Sequence, residues 1–170
     1  MKKTLLRIFT GLLAMVLVFS AVPVQVWAAS SYPNTHVNTG DQAADIVAIA
    51  VSQAGYCEGS LSGNPSYASS NNYQKYGQWY DVNVDNIGVT RAAWCAAFVS
   101  WCANQAGIPS STMYYHAYCP YGVNWFRNQG RFKYAASRGG SYIPNPGDIV
   151  YFAPAGSSTS SHVGIVRYVS

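Results

Sequence analysis

The segment 94–109 constrains the fold most strongly, because it predicts a buried helix with a cysteine close to its start. Its sequence, WCAAFVSWCANQAGIP, places apolar residues on nearly every side of a helical projection, so neighbouring elements should cover it on all faces. Gly107 allows the left-handed turn that commonly ends a helix, and Pro109 cannot continue one. We expect Thr90 to cap the start, with a start nearer Cys95 as the alternative. The segment is therefore predicted to be the central helix of the domain.

Two cysteines on this helix, Cys95 and Cys102, differ in what their positions allow. Their spacing makes almost two full turns, which separates them by about 10 Å along the helix axis. A disulfide needs Cα atoms within about 7 Å, so these two residues cannot be bridged to each other. The unpaired N–H groups and positive dipole end of the first turn favour a thiolate at Cys95, whereas apolar neighbours keep Cys102 protonated. If either is a nucleophile it is Cys95; the alternative is that both are small core residues.

The first residues of the chain predict export. Basic residues at positions 2, 3 and 7 precede an apolar run over 8–22, and Val26 and Ala28 are the small residues that a signal peptidase reads. We predict a signal peptide over 1–28, cleaved after Ala28, and a secreted, cell-wall-associated protein without stable membrane insertion. An uncleaved membrane anchor is the alternative. The polar segment 29–40 is predicted to be a flexible leader.

Charge excludes one class of partner. Three of the ten basic residues lie in the predicted signal peptide, so seven remain against six acidic residues, and the net charge of the exported chain is near +1. Nothing in this balance suggests nucleic acid. The remaining length is enough for a single domain core.

Helical patterns also occur outside the central segment. A pattern that begins at Asp41 and closes at Gly55 predicts an amphipathic helix of about three to four turns, packed beside the central helix. Residues 58–88 show little periodicity and are predicted to be loop. Within them, the aromatic and amide residues of 71–81 suggest either a surface that grips peptide or sugar or a set of local loop anchors. A short helix is expected around 121–128.

The C-terminal part of the chain predicts two neighbouring antiparallel strands. The turn sequence PNPGD precedes the β-rich run 149–152, and a loop of small residues leads into a second strand over 162–169. Alternation puts His162 and Gly164 on one face of the second strand, at an end where a histidine can reach a helix start packed on the sheet. His162 is therefore the base that we expect for Cys95. His116 and His36 are its competitors, and a structural role for a histidine at a strand start is the alternative.

Two further cysteines, Cys57 and Cys119, leave the pairing open. Export permits a disulfide between them, although four cysteines allow three pairings and the sequence does not select one. The spacing of His116 and Cys119 also suits zinc, but no Cys-x-x-Cys pair supports a metal site and no carboxylates have EF-hand spacing. We predict no metal and no cofactor.

Taken together, the helix 94–102 (WCAAFVSWC) and the later runs PGDIV (146–150) and SHVGIV (161–166) resemble the CHAP family, the cysteine, histidine-dependent amidohydrolases/peptidases of bacterial cell walls. The resemblance covers 41–170. It implies a compact α+β, papain-like fold in which a central helix carrying the nucleophile packs on a small antiparallel sheet. It also implies that Cys95 is the nucleophile, that His162 is the general base, and that peptidoglycan is the substrate.

The resemblance also implies a third catalytic residue that this chain does not contain. CHAP enzymes usually place Glu, Asn or Asp on the strand after the histidine strand, and the chain ends at Ser170 before such a strand. A sheet edge would be left uncovered there. We therefore expect the domain to be incomplete at its C-terminus and the sequence to be a fragment of a longer reading frame.

The predicted function is hydrolysis, through a thioester, of amide bonds in the stem peptide, the cross-bridge or the lactyl-L-alanine linkage of peptidoglycan. The main alternative is a non-catalytic wall-binding module on a papain-like scaffold, in which Cys95 only packs. A related enzyme that passes the acyl group to an amine instead of water would use the same residues.

Overall fold

A computed structural model describes residues 34–169, so the predicted signal peptide lies outside the described residues. The arrangement is α+β, which confirms the predicted fold class. No helix in the described range is both long and apolar enough to cross a membrane. The elements are the helices α1 (Gln42–Ser52), α2 (Lys75–Asn83), α3 (Cys95–Gln105) and α4 (Cys119–Asn128), followed by the strands β1 (Ile149–Phe152) and β2 (His162–Ile165).

The central helix is α3, which contacts α1, α2 and β2. Seven of its residues are buried: Ala96, Ala97, Val99, Ser100, Trp101, Cys102 and Ala103. Gly107 follows with a φ of 68°, a left-handed conformation that glycine adopts without strain. The predicted central helix and its end are confirmed.

The predicted cap at Thr90 is wrong, and the alternative start nearer Cys95 is correct. Thr90 lies in a 3₁₀ turn over Val89–Arg91, and α3 begins only at Cys95. The Thr90 backbone N–H and hydroxyl both donate to the carboxylate of Asp81, at 2.8 and 2.6 Å. The hydroxyl that suggested a cap is therefore committed to a carboxylate on α2.

Helix α1 begins where the sequence predicts, because Asp41 caps it with a side-chain oxygen that accepts from the N–H groups of Ala43 and Ala44. Ile46 and Ile49, on its buried side, belong to the same core as α3. The prediction that this helix packs beside the central helix is confirmed.

The prediction of a loop throughout 58–88 is wrong, because α2 occupies nine of these residues. The buried face of α2 is formed by Tyr76 and Tyr80, four residues apart, rather than by aliphatic residues. Gln74 caps the helix by accepting from the Gly77 N–H at 2.6 Å. Tyrosine and glutamine in these roles are also common in loops, which is why the pattern gave no helical signal.

The two strands pair antiparallel as predicted, with Phe152 opposite His162 and Ile149 opposite Ile165. β2 ends at Ile165, so the predicted extent to residue 169 is too long. Gly147, in the turn before β1, has a φ of 91° and lies so close to Ala43 of α1 that a Cβ would meet its side chain at 2.7 Å. This close approach fixes the start of the sheet against α1.

Helix α4 begins at Cys119, two residues before the predicted short helix.

The segment predicted as a flexible leader is described from residue 34, and residues 34–40 make specific contacts. His36 Nε2 lies 2.7 Å from Asp45 Oδ1 on α1, and Asn38 donates to the Gln105 carbonyl at the end of α3, at 2.9 Å. The His36 side chain, with N–H groups of residues 39–40, lowers the pKa of Asp45 to about 2. These bonds connect the segment to two helices.

Candidate active site

The start of α3 is held by its neighbours. Trp94, the residue before the helix, stacks on buried Tyr76 with ring centroids 5.3 Å apart, and its indole N–H donates to Glu58 Oε2 at 2.8 Å. No side chain of the capping residue bonds to the first turn. The backbone N–H groups in the first turn of α3 are therefore not capped by the Trp94 side chain, and they can donate hydrogen bonds to a group that binds beside Cys95.

The Cys95 thiol is half-buried and strongly acidified. The side-chain hydrogen bond with Cys119 contributes most to lowering its pKa to about 5, and interactions with the His162 side chain and the Val163 backbone N–H add to this. Burial acts in the opposite direction but is outweighed. With this pKa the Cys95 thiol is ionised at neutral pH.

Cys119 supplies the hydrogen bond that the sequence did not predict. Its sulfur lies 3.8 Å from that of Cys95. The pKa of Cys119 is raised, first by this bond and then by burial, so Cys119 keeps its proton. Its S–H therefore donates the hydrogen bond, and the Cys95 thiolate accepts it. All four cysteines are free thiols in the structure, and the Cys57–Cys119 disulfide that export would permit is not formed. A sequence signal for Cys119 did exist, because the following Pro120 suits the first turn of a helix and so places Cys119 at a helix start.

Cys102 has the opposite environment on the same helix. It is completely buried, and desolvation raises its pKa well above the ordinary range of a thiol. The nearest cation, Lys75, lies over the rings of Tyr56, Tyr76 and Trp101 at about 5 Å and only partly offsets this effect. Cys102 is a core residue.

The structure brings His162 to the start of α3. His162 is the first residue of β2, and the following Val163 is buried in the core against α3. The His162 ring is exposed, with the ring of Phe152 5.9 Å away on the paired strand. Its interaction with Cys95 lowers the pKa of that thiol. Within residues 34–169, no carboxylate or amide side chain hydrogen-bonds to the His162 ring.

The two competing histidines have other partners. His116 is fully buried, with Nδ1 2.9 Å from the Tyr114 carbonyl oxygen and Nε2 3.0 Å from the Tyr151 hydroxyl. Because a carbonyl only accepts, Nδ1 carries the proton and Nε2 accepts from Tyr151. Burial lowers the pKa of His116, which favours this neutral form. His36 is paired with Asp45 on α1. Both ring nitrogens of His116 are thus occupied by structural bonds rather than by a metal or Cys95.

Helix α4 lies directly on the pair formed by His116 and Tyr151. A Cβ at Gly122 would meet the Tyr151 hydroxyl at 2.1 Å and His116 Nε2 at 2.4 Å. Only glycine fits at this position. The absence of a side chain therefore allows α4, which carries Cys119 at its start, to approach β1.

A cleft of ≈ 410 Å³ opens beside the two sulfurs. One side comes from the segments that precede α3 and α4, and the other from the small-residue loop between β1 and β2. The hydroxyl oxygen of Ser160 is buried without a hydrogen-bond partner. Among the described residues, the cleft lining contains no Asp, Glu, Lys or Arg, so the Cys95 thiolate is its one charged side chain. Its lining residues are Ala93, Cys95, Ala117, Tyr118, Cys119, Pro154, Ser157, Thr159, Ser160 and Ser161.

The aromatic segment 71–81 does not form an open ligand surface, because two of its tyrosines, Tyr76 and Tyr80, are core residues. Trp79 also packs onto the core. These three aromatic residues pack on the core as part of helix α2, and not as anchors of a loop. Among residues 34–169, no three His, Cys, Asp or Glu side chains are grouped closely enough to hold a metal ion.

Comparison with known families shows that the CHAP domain matches residues 83–170, just over half of the chain. The matched range contains Cys95, Cys119 and His162. No curated protein and no solved structure matches the chain.

Proposed function

Because this chain belongs to the CHAP domain family, we propose that it is an exported cysteine hydrolase that cleaves amide bonds of peptidoglycan. The observation that carries the proposal is the acidified Cys95 thiol at the start of α3, facing His162 beside a cleft. An acidic, partly accessible thiol next to an imidazole is the arrangement that nucleophilic cysteine catalysis requires.

In the proposed reaction, the Cys95 thiolate attacks the carbonyl carbon of a bound amide. The backbone N–H of Cys95, in the uncapped first turn of α3, donates to the oxyanion of the tetrahedral intermediate. Protonated His162 transfers its proton to the leaving amine, and a thioester at Cys95 remains. Neutral His162 then takes a proton from water, which attacks the thioester and releases the acid.

Cys119 acts on the nucleophile and not on the substrate bond. Its S–H donates to the Cys95 thiolate 3.8 Å away, which stabilises the charge before substrate binds. The His162 side chain also interacts with this thiol and lowers its pKa further.

The cleft fits an uncharged polar chain. Its small and hydroxyl-bearing lining leaves room for peptide backbone and offers hydrogen bonds. Three kinds of amide bond in peptidoglycan are candidates for cleavage in this cleft: those of the stem peptide, those of the cross-bridge, and the lactyl-L-alanine linkage. The predicted signal peptide supports export to the compartment where this polymer is found.

Digestion of purified peptidoglycan tests the proposal. The protein, its Cys95→Ala variant and a Cys57→Ala control are incubated with the polymer, and mass spectrometry of the soluble products identifies the new termini. We expect the protein and the Cys57→Ala control to release the same fragments and Cys95→Ala to release none. Fragments from Cys95→Ala would refute the assignment of the nucleophile. If no sample releases fragments but the protein still binds the insoluble polymer, the wall-binding module is the better account.

A further inference from the structure

Two helix starts meet at a pair of cysteines. Cys95 is the first residue of α3 and Cys119 is the first residue of α4, although 24 positions separate them in the chain. Their sulfurs are 3.8 Å apart. A disulfide bond is about 2.05 Å long, so closure requires the sulfurs to approach by about 1.8 Å.

The two thiols differ in exposure and in protonation state, and both properties affect their reaction with an oxidant. Cys95 is half-buried, borders the cleft and is held as a thiolate, so a small oxidant reaches it first. Cys119 also lines the cleft, but it is only 5% exposed and keeps its proton beside the Cys95 thiolate, so it is the less reactive of the two. Oxidation of Cys95 removes the thiolate that raises the pKa of Cys119, so that the Cys119 sulfur can then attack the oxidised product.

The other two cysteines are not placed for this role. Cys102 is completely buried almost two turns further along α3. Cys57 lies outside the helices and its thiol is 3.6 Å from the Gly55 carbonyl oxygen. Cys95 and Cys119 thus form the cysteine pair in sulfur contact within residues 34–169.

We propose that Cys95 and Cys119 are an oxidation site for hydroperoxides, at which a reversible disulfide forms and blocks the nucleophile. The site itself follows from the geometry of the two thiols, whereas its effect on activity rests on the proposed hydrolase function. An exported protein meets oxidants without the reducing systems of the cytosol, so reversible closure protects Cys95 from irreversible oxidation.

The chemistry balances in two steps. The Cys95 thiolate attacks one oxygen of the hydroperoxide and becomes a sulfenic acid, while the O–O bond breaks and an alcohol, or water from hydrogen peroxide, leaves after protonation. The Cys119 sulfur then attacks the sulfenic sulfur, its proton goes to the departing hydroxide, and water leaves as the S–S bond forms. Two thiols are oxidised and one hydroperoxide is reduced. Two equivalents of an external thiol reverse the change and are themselves joined in a disulfide.

The start of α3 also favours easy reduction. The N–H groups and dipole of its first turn stabilise the Cys95 thiolate, and they have no equivalent interaction with a neutral disulfide. A disulfide whose reduced form is stabilised in this way is more readily reduced than an ordinary structural one. The bond should therefore open with mild reductants while the fold persists.

Treatment of the full protein with stoichiometric hydrogen peroxide tests the site without any activity measurement. After the remaining thiols are alkylated, peptides are mapped by mass spectrometry under non-reducing conditions. We expect the peptide containing Cys95 to be linked to the one containing Cys119, in the Cys57→Ala control as well as in the unmodified protein. Cys95 driven to sulfinic acid, or linked to Cys57 or Cys102, while Cys119 remains alkylatable, would overturn the proposal.

Variants at Cys119 provide the second readout. In Cys119→Ala and Cys119→Ser the sulfenic acid has no internal partner, so its capture by dimedone at Cys95 should increase by roughly tenfold over the unmodified protein. Where hydrolysis is measurable, dithiothreitol should restore the starting activity of the protein after excess peroxide, but not that of the variants, because their sulfenic acid is oxidised further to the irreversible sulfinic acid. Because loss of the Cys119 hydrogen bond also raises the pKa of Cys95 and slows its oxidation, capture is expressed per Cys95 oxidised. Equal values in all three proteins would show that Cys119 does not resolve the oxidised sulfur.

The two readouts separate this proposal from the proposed hydrolase. If the linked peptide forms but no protein digests peptidoglycan, the oxidation site stands and the hydrolase function fails. If digestion depends on Cys95 but no linked peptide forms, the hydrolase function stands and the oxidation site fails.

Discussion

The first turn and the buried middle of α3 each hold a cysteine, and the two cysteines have opposite chemistry. At the first turn, hydrogen bonds lower the pKa of Cys95 to about 5, with Cys119 as the largest contributor. In the middle, burial among apolar side chains raises the pKa of Cys102 far above its ordinary range. Residue type and helix are the same in both cases, so the reactivity of a cysteine here depends on its place along the helix and on what packs beside it.

The comparison also shows how neighbouring elements produce the difference. Around the first turn of α3, two other elements direct polar groups at the sulfur: the start of α4 contributes Cys119, and β2 contributes His162. Around Cys102, the same fold supplies apolar packing and keeps the nearest cation, Lys75, over aromatic rings. Four predictions test this contrast.

The largest effect is expected from alanine substitution at each of the two cysteines. Cys95→Ala removes the group that forms the thioester, so peptidoglycan hydrolysis should fall by at least about 10³-fold. Cys102→Ala should retain activity within about threefold, since Cys102 lies in the core. The rate of soluble fragment release measures both. Comparable losses of activity in the two variants would contradict the assignment of Cys95 as the nucleophile and of Cys102 as a core residue.

A second contrast is expected between His162 and His116. His162→Ala removes the proposed acid–base group from an exposed position, so kcat should fall by about 10²- to 10⁴-fold while the melting temperature stays unchanged. His116→Ala leaves Tyr151 and the Tyr114 carbonyl without a buried partner, so the free energy of unfolding should fall by about 2 kcal/mol. Thermal melts and initial rates, measured well below each melting temperature, distinguish these effects. An inactive but fully stable His116→Ala variant would contradict the assignment of roles.

The pH dependence of alkylation sharpens the comparison without a substrate. Because the pKa of Cys95 is lowered to about 5, its thiolate predominates above that pH, and its rate of reaction with iodoacetamide should fall only as the pH drops through about 5. Cys102 should react at least about 100-fold more slowly at neutral pH, as its raised pKa and burial both require. Peptide mass spectrometry gives the two rates separately in one sample. A Cys95 profile that rises only above pH 8 would mean that its thiol is not acidified.

The smallest effect concerns stability. Cys102→Ser places a hydroxyl in an apolar, completely buried position, and we expect this to lower the free energy of unfolding by about 1–3 kcal/mol. Cys95→Ser is the matched variant, and at its half-buried position the cost should be below about 1 kcal/mol. Urea denaturation curves provide both values. A larger loss in the free energy of unfolding for Cys95→Ser than for Cys102→Ser would contradict the placement of Cys102 in the core and of Cys95 at a half-buried position.

The parts of the fold that depend on local signals could be predicted from the sequence. The end of α3 follows from Gly107 and Pro109, the start of α1 from Asp41, and the strand pair from its turn residues. Helix α2 was missed because its buried face is tyrosine instead of aliphatic, and Thr90 was misassigned because its hydroxyl serves Asp81 rather than α3. In each error, a polar side chain has a tertiary partner that no local pattern reveals.

For the candidate site too, local features could be predicted from the sequence and contacts between distant segments could not. The position of Cys95 in a first helical turn is a local property, and the sequence offered it as the alternative to a start at Thr90. The approach of Cys119 depends on how α4 packs, and this in turn requires the missing side chain of Gly122 against His116 and Tyr151. Such a contact between distant helix starts is decided by packing alone. The catalytic roles of Cys95 and His162 remain predictions that the experiments above address.

The most direct test follows hydrolysis and labelling in the same sample. The protein is treated with limiting iodoacetamide for increasing times, and its residual rate of peptidoglycan hydrolysis is plotted against the fraction of Cys95 alkylated, as measured by peptide mass spectrometry. We predict a straight line that reaches zero when Cys95 is fully alkylated, with Cys102 unlabelled throughout. Hydrolysis that persists after complete alkylation of Cys95 would contradict the assignment of this residue as the nucleophile.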